Sequence, residues 1–428
     1  MRAMTGSAAH ERGATGVTQG STAELGIPPA RFAARLGAAR EALSRTGDLA
    51  LLVGVGADLR WLTGYDAMNL ERLTLLVLST ADAPALLVPR LEVPRAALAP
   101  AAAAGLVRVV PWEETADPVA LVPALVASRA PSPAAPGSTG PRHDRPAGSA
   151  PGATAVPRLL VSERLWASFV LRLQAVFPGT PFGLASDVLR PLRMAKDADE
   201  IALLRAAAHA ADRVVLAIAA GRLLGRPEAD VAREVRERLL DEGHETAAFA
   251  IVGSGPHSAS PHHEASDRRI AAGEPIVLDI GGSYRGYGSD ITRTLWVTGE
   301  EGLGPDEAFQ RLYEVLRRAQ AAATAAVRPG VAAERIDAVG RAIIAAAGYG
   351  AAFIHRIGHG IGLEGHEDPY LVAGNAEPLR AGYAFSVEPG IYLEGRYGAR
   401  IEDIVVCGAD GPDVLNEAPR ELLVVRGT

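Results

Sequence analysis

The run Pro275–Val297, PIVLDIGGSYRGYGSDITRTLWV, decides how this chain folds. Two apolar, β-branched stretches flank the turn-rich connector GGSYRGYG. The pattern predicts an antiparallel hairpin that sets Asp279, at the end of the first stretch, beside Asp290, eleven residues on. A single Asp at the end of an apolar strand is ordinarily a turn or cap residue. A pair of them, followed by Thr292 and Arg293, points to chemistry instead. Three more candidates lie downstream: His359 in HRIGHGIGLEGHE, Glu388 in SVEPGIY and Glu402 in RIEDIV. Four carboxylates and one imidazole brought together repel one another unless cations sit between them. Two divalent ions carry the charge that cancels four carboxylates, which indicates a dinuclear metal hydrolase.

The surroundings of these five residues strengthen the reading. His355, His359 and His366 fall within twelve residues of a glycine-rich segment, poor helix material that suits metal or acid–base chemistry. Glu402 stands on an otherwise apolar strand and needs a partner or a metal. Arg400, two residues earlier and on the same face, is placed to hold one of the aspartates. The plainer alternative is a simple Arg400–Glu402 pair. Upstream, His262 and His263 follow Pro261 in SPHHEASDRRI, a loop between two strands. A loop histidine beside a metal site suits hydrogen bonding to substrate or to a developing oxyanion. The chain lacks HExxH, a GxSxG elbow and a P-loop.

Around the site, periodicity sets out the rest. Residues 1–27 are small and polar and are expected to be disordered. An amphipathic helix is expected over Ala30–Arg45, then strands in LALLVGV, LTLLVLS and ALLVPR. This alternation describes a small N-terminal α/β domain over residues 28–190. The Pro/Gly/Ser/Ala-rich stretch 129–157 interrupts it as a disordered insertion. A second domain, 191–428, opens near Pro191 with helices over Asp197–Ala220 and Pro227–Glu242, then strands in TAAFAIVG and in the hairpin. The same order recurs, with helices over Asp306–Ala326 and Val331–Ala347 and strand-like runs around Ala352–Arg356, Ala384–Leu393 and Ile401–Cys407. A two-metal site would therefore lie between two similar halves.

Composition excludes several other classes. The 428 residues are 48% hydrophobic and 22% charged, with net charge −7 and no basic run, so nucleic acid is not an expected partner. Lys196 is the single lysine among 43 basic residues and lies in the charged stretch MAKDADE, a poor setting for Schiff-base chemistry. Cys407, the single cysteine, forms no intrachain disulfide and reads as a buried strand residue. No apolar stretch reaches the ~18 residues of a membrane span. The first residues lack the apolar core of a signal peptide, so the cytoplasm is the expected location.

The segments DIG, SDITRT, GHGIG, EPG and RIEDIV, together with RWLTGY and DADEIALLRAA, resemble the family of prolidases and aminopeptidases P, the pita-bread metallopeptidases. The resemblance covers residues 28–428 apart from the insertion. It implies an α/β (α+β) chain with a creatinase-like N-terminal domain and a pita-bread catalytic domain. By resemblance, Asp279 binds one metal, His359 and Glu388 bind the second, and Asp290 and Glu402 bridge both. His262, His355 and His366 match the family's supporting histidines. The implied activity is hydrolysis of X-Pro bonds by a hydroxide shared between two ions, with Glu388 shuttling the proton and Arg400 supporting the site. Oxygen-rich ligands favour Mn²⁺, with Co²⁺, Zn²⁺ or Fe²⁺ as alternatives. The implied substrate is a peptide or dipeptide with proline at the second position, and the implied assembly is a homodimer. Two alternatives are an aminopeptidase P acting on longer X-Pro-Y peptides and a non-catalytic pita-bread binding protein.

Overall fold

Alternate residues of the N-terminal strands enter different cores. Strands β1 (Ala50–Gly54), β2 (Leu75–Ser79), β3 (Ala85–Pro89), β4 (Arg108–Trp112), β5 (Leu159–Val161) and β6 (Phe182–Leu184) form one sheet in the order β4-β3-β2-β1-β5-β6. On one face, Leu51, Val53, Leu76 and Leu78 pack against Phe32, Leu36 and Leu43 of the helix Pro29–Thr46. On the other, Ala50, Leu52, Leu75 and Val77 pack with Phe169 and Leu173 of the helix Ala167–Val176. A sheet covered on both faces needs strands apolar at every position, which is why these runs read as continuous rather than alternating.

The computed structural model describes residues 25–126 and 156–426. The expected disordered segments 1–27 and 129–157 lie outside the described residues except at 25–27 and 156–157. Leu25 and Ile27 are partly buried against the cores. Pro191, the expected start of the second domain, sits inside the helix Ser186–Met194.

The helix Ala198–Ala220 starts at a capping box. Asp197 accepts from the N–H groups of Asp199 and Glu200, and the Glu200 carboxylate accepts from the Asp197 N–H. After the helix Glu228–Asp241 come β7 (Thr246–Ser254), β8 (Glu274–Tyr284) and β9 (Tyr287–Val297), all antiparallel. In the second half, helices Glu307–Ala325 and Ala333–Ala346 precede β10 (Gly358–Gly360), β11 (Glu367–Leu371), β12 (Ala384–Val387), β13 (Gly390–Leu393), β14 (Tyr397–Arg400), β15 (Asp403–Cys407) and β16 (Pro412–Val414). The order β11-β10-β12-β15-β16 makes one sheet, and β13-β14 is a separate hairpin. The last strand, β17 (Leu423–Val425), returns to pair in parallel with β9.

Two expectations fail in this half. Residues Ala352–Arg356 do not form a strand: a 3₁₀ turn at Gly350–Ala352 leads into irregular chain. The Arg341 side chain donates to the carbonyls of Phe353 (3.0 Å) and His355 (2.7 Å), doing what a neighbouring strand would do. Nor is Ala384–Leu393 one strand. It breaks at Glu388–Pro389 into β12 and β13, which belong to different sheets, because proline has no N–H to continue a ladder.

The halves are stapled where Thr292 of β9 bridges to Glu402. Arg293 is fully buried there. It pairs with Asp403 at 2.7 Å and donates to the carbonyls of Glu402 (2.6 Å), Ala418 (2.7 Å) and Pro419 (2.8 Å). The N-terminal domain docks through ion pairs such as Arg31–Asp199 (2.6 Å) and through Trp61, whose indole N–H donates to Glu200 at 3.2 Å. No described helix is long and apolar enough to cross a membrane. Cys407 is buried in β15.

Candidate metal centre

The β8–β9 hairpin forms, but its turn is only Arg285–Gly286: the rest of the expected connector GGSYRGYG pairs as strand, so Asp279 stands inside β8 rather than at its end. Asp279 pairs with Thr292, and Asp290 pairs with Gly281, so both aspartates lie on one face, diagonally across the ladder. Glycine at 281 is required, because a Cβ there would lie 2.3 Å from the Ser289 carbonyl. From the other half, His359 sits at the centre of β10. Its flanking glycines let neighbouring chains close in: a Cβ on Gly358 would lie 2.0 Å from the Ser386 carbonyl. Glu388 projects from the Glu-Pro break, and Glu402 from the bridge to Thr292.

These five residues converge. Ligand atoms of Asp279, Asp290 and Glu402 form one group lying within 4.8 Å of one another; those of His359, Glu388 and Glu402 form another. His359 Nε2 is 3.4 Å from Glu388 and 3.6 Å from Asp290. Its Nδ1 lies 3.1 Å from the Gly360 carbonyl, which can only accept, so the proton belongs on Nδ1 and the Nε2 lone pair faces the carboxylates. Burial holds this imidazole neutral, pushing its pKa down to about 3.

The carboxylates show the opposite effect. Burial, followed by mutual repulsion, pushes Asp290 and Glu402 well above the usual carboxylate range. Burial pushes Glu388 up to about 7, with Asp279 adding to the rise against the pull of Arg400. Few donors reach these groups: Thr292 Oγ1 donates to Glu402 at 2.7 Å and Ser386 Oγ to Glu388 at 3.2 Å. Asp279 Oδ1 is buried with no hydrogen-bond partner. An unpartnered buried oxygen on a carboxylate that shares its space with those of Asp290 and Glu402 calls for a cation. The residues present therefore fit two divalent ions.

Arg400 does not pair with Glu402. Its guanidinium is buried and contacts Asp279, Thr292 Oγ1 (3.0 Å), the Tyr392 hydroxyl (2.7 Å) and the Pro261 carbonyl (3.2 Å). Tyr392 in turn lies 3.0 Å from His355 Nε2, and His355 Nδ1 lies 2.7 Å from the Arg356 carbonyl. Arginine can only donate, so the tyrosine hydroxyl accepts from Arg400 and gives its proton to His355. Both ring nitrogens of His355 are thus engaged, and it reaches the metal cluster through Tyr392 and Arg400. Burial pushes its pKa down to about 4.

His366 is exposed at the rim, its ring centroid 3.9 Å from that of His359. His262, also exposed, lies close enough to His355 and His366 for its charge to oppose theirs. A cavity of about 220 Å³ separates Gly54–Asp58 of the N-terminal domain from the segment His366–Tyr370. Lys196 is buried and pairs with Glu367 at 2.6 Å.

Sequence reasoning passed over Tyr392, Ser386 and the second role of Thr292. The one signal for Tyr392 was Gly390, where a Cβ would lie 2.2 Å from the tyrosine hydroxyl. Also unforeseen was a separate cluster, Glu228, His257 and His263.

Comparisons with known proteins agree with this architecture. The model of metallopeptidase family M24 matches residues 202–409, and that of the creatinase/prolidase N-terminal domain matches 35–195. A Mycobacterium tuberculosis protein named probable dipeptidase PepE is 46% identical over 396 residues, 92% of this chain and 96% of that one. A Xaa-Pro dipeptidase of Pyrococcus furiosus is 40% identical over 243 residues, 56% of this chain and 68% of that one. The crystal structure of dipeptidase PepE from Mycobacterium ulcerans superposes with a TM-score of 0.81 at 43% identity, covering 93% of this chain and 99% of that chain. With the two halves, the converging carboxylates and this full-length likeness in view, the chain belongs to metallopeptidase family M24, with a creatinase/prolidase N-terminal domain and a pita-bread catalytic domain.

Proposed function

We propose that this chain is a dinuclear metal-dependent dipeptidase that cleaves Xaa-Pro bonds. The observation that carries the reading is the buried convergence of Asp279, Asp290, His359, Glu388 and Glu402, with Asp279 Oδ1 unpartnered. Asp279 would hold one ion and His359 with Glu388 the other, with Asp290 and Glu402 shared between them. Oxygen-rich ligands favour Mn²⁺. When bound, the ions supply Lewis acidity and make a water nucleophilic near neutral pH.

The chain's own residues account for the rest. Arg356 Nη2 lies 3.4 Å from His366 Nδ1 and can only donate, which leaves the His366 Nε2–H free to bond a developing oxyanion. His262 approaches from the opposite loop and would share that task. Glu388, at the edge of the cluster, would carry the proton from the attacking water to the departing imino nitrogen. Arg400 fixes the orientation of Asp279 and, through Tyr392, that of His355. The cavity bordered by His366 and the N-terminal domain is where the peptide would enter. Preference for dipeptides is supported by the names of the full-length relatives.

The test is a substrate-length panel on enzyme reconstituted with Mn²⁺. Gly-Pro-type dipeptides should be turned over faster than X-Pro-Y tripeptides. The reverse order would make the protein an aminopeptidase P, and no turnover of either would reject the Xaa-Pro reading.

A further inference from the structure

Glu228 has no exposed surface, yet it lies outside the metal cluster, at the first position of the helix Glu228–Asp241. Its Oε1 accepts from the Ser254 N–H (2.8 Å) and Oγ (2.6 Å). Its Oε2 accepts from His263 Nε2 (2.8 Å) and from the Ser266 N–H (3.2 Å) and Oγ (2.7 Å). His257 Nδ1 lies 3.1 Å from both oxygens. Although burial pushes upward, the Ser254, His263 and Ser266 donors hold this carboxyl down to about 2.

Glu228, His257 and His263 are residue types that could hold a metal ion. The hydrogen bonds argue otherwise. A carboxylate offers about four lone-pair directions, and donors from the chain already fill them. A cation would have to displace several at once.

The donors run from Ser254, the last residue of β7, through the following loop to Ser266, and His262 lies within that loop. On its far side the same loop is held by the catalytic core. Ser258 Oγ accepts from the Gly398 N–H at 2.9 Å, and the Pro261 carbonyl accepts from Arg400 at 3.2 Å. The neighbours of His262 are therefore clamped from opposite directions: Pro261 by Arg400, which also holds Asp279, and His263 by Glu228. We infer that Glu228 is a positioning residue, knotting the loop so that the His262 imidazole faces the metal cluster. This rests on the proposed role of His262 toward substrate.

The test uses the full-length, metal-loaded enzyme and the variants Glu228→Gln, His262→Ala and their combination, with kcat, KM, metal content and hydrogen exchange measured on each. Glutamine keeps the shape but presents an amide NH₂ to groups that themselves donate. Glu228→Gln should retain two metals and lower kcat by about ten-fold with little change in KM, below the roughly 10²-fold that a full 1 Å misplacement can cost. On the His262→Ala background the same change should cost less than about two-fold, because coupled residues are not additive. Exchange should quicken over residues 255–268 but not over the 275–297 hairpin. Full additivity would overturn the inference while leaving the role of His262 intact. Wild-type rates for His262→Ala would reject that role and the inference with it. A third metal per chain, lost in Glu228→Gln, would show the knot to be a metal site. If Glu228→Gln misfolds, Ser266→Ala removes a single donor and must show the same non-additivity with His262→Ala for the inference to stand.

Discussion

Two clusters in the catalytic domain contain the same residue types and meet opposite fates. At the centre, Asp279, Asp290, Glu388 and Glu402 share one buried space with His359, and an oxygen of Asp279 is left without a partner. Glu228 is just as buried but is surrounded by hydroxyls, backbone N–H groups and two imidazoles. Burial pushes Asp290, Glu388 and Glu402 upward, and Glu228 with them. In the first, neighbouring carboxylates add to the rise and Glu388 reaches about 7. In the second, donors reverse it and Glu228 falls to about 2. Residue type alone does not mark a metal site; the ratio of acceptors to donors does.

The largest effects should separate the clusters outright. Asp290→Ala or Glu402→Ala removes a ligand shared by both proposed ions. Each should abolish metal loading and reduce kcat/KM by at least about 10³-fold. Metal analysis beside the assay checks this, and a variant that bound two metals and turned over normally would break the assignment. Arg400→Lys should cost less, about 10–100-fold, the usual range for a group that supports a metal ligand. Lysine cannot reach Asp279, Thr292, Tyr392 and Pro261 together. Metal stoichiometry near two with kcat reduced would place the loss in orientation rather than binding.

Much of the central cluster was legible in the sequence, and the knot was not. Asp279 and Asp290 stand on one regular hairpin, whose period-2 geometry can be read residue by residue although its glycines overstate the length of the turn. His359, Glu388 and Glu402 stand on short strands broken by Gly and Pro, so their motifs identify them better than any periodicity does. The false strand at Ala352–Arg356 has the same origin: its carbonyls are satisfied by Arg341, and no local pattern announces a side chain as the partner. Glu228 is harder still. In sequence it is one of two acids in the first turn of a helix, explained by the helix dipole alone. Its donors lie between 26 and 38 residues away, in a loop whose path is set by Arg400 and Gly398.

A smaller effect tests the clusters through stability. Mn²⁺ at a hundred times its Kd should stabilise the wild type by about 2.7 kcal/mol for each site filled. The same shift should appear in Glu228→Gln and vanish in Asp290→Ala. Thermal melts of the three proteins with and without metal decide it, and loss of the shift in Glu228→Gln would mean that the knot takes part in metal binding.

The last prediction concerns pH and has a different sign in each cluster. For Glu228 the folded pKa, about 2, lies below the ordinary 4.5. Between those values the unfolded chain binds more protons than the folded one. The stabilisation is therefore complete above pH 4.5 and is lost as pH falls toward 2. For Glu388 in metal-free protein the folded pKa, about 7, lies above 4.5. The folded state then binds more protons, so stability is lost as pH rises from 4.5 to 7. Each contribution is on the order of 3 kcal/mol at most across its full window. The slope that His355 and His359, kept neutral by burial, add below pH 6.5 is common to wild type and Glu228→Gln and cancels there, whereas His359, Asp290 and Glu402 respond to the charge on Glu388, so the Glu388→Gln difference reads the central cluster as a whole. The measurement is denaturant unfolding of metal-free wild type against Glu228→Gln and against Glu388→Gln over pH 2–8. The first difference should grow from pH 2 to 4.5 and then level. The second should shift against the wild type from 4.5 to 7, and that pH-dependent shift should shrink when Mn²⁺ is restored, because cations beside Glu388 stabilise the charged carboxylate that burial disfavours. Differences of the same sign in both series would mean that donor count does not govern these two carboxylates.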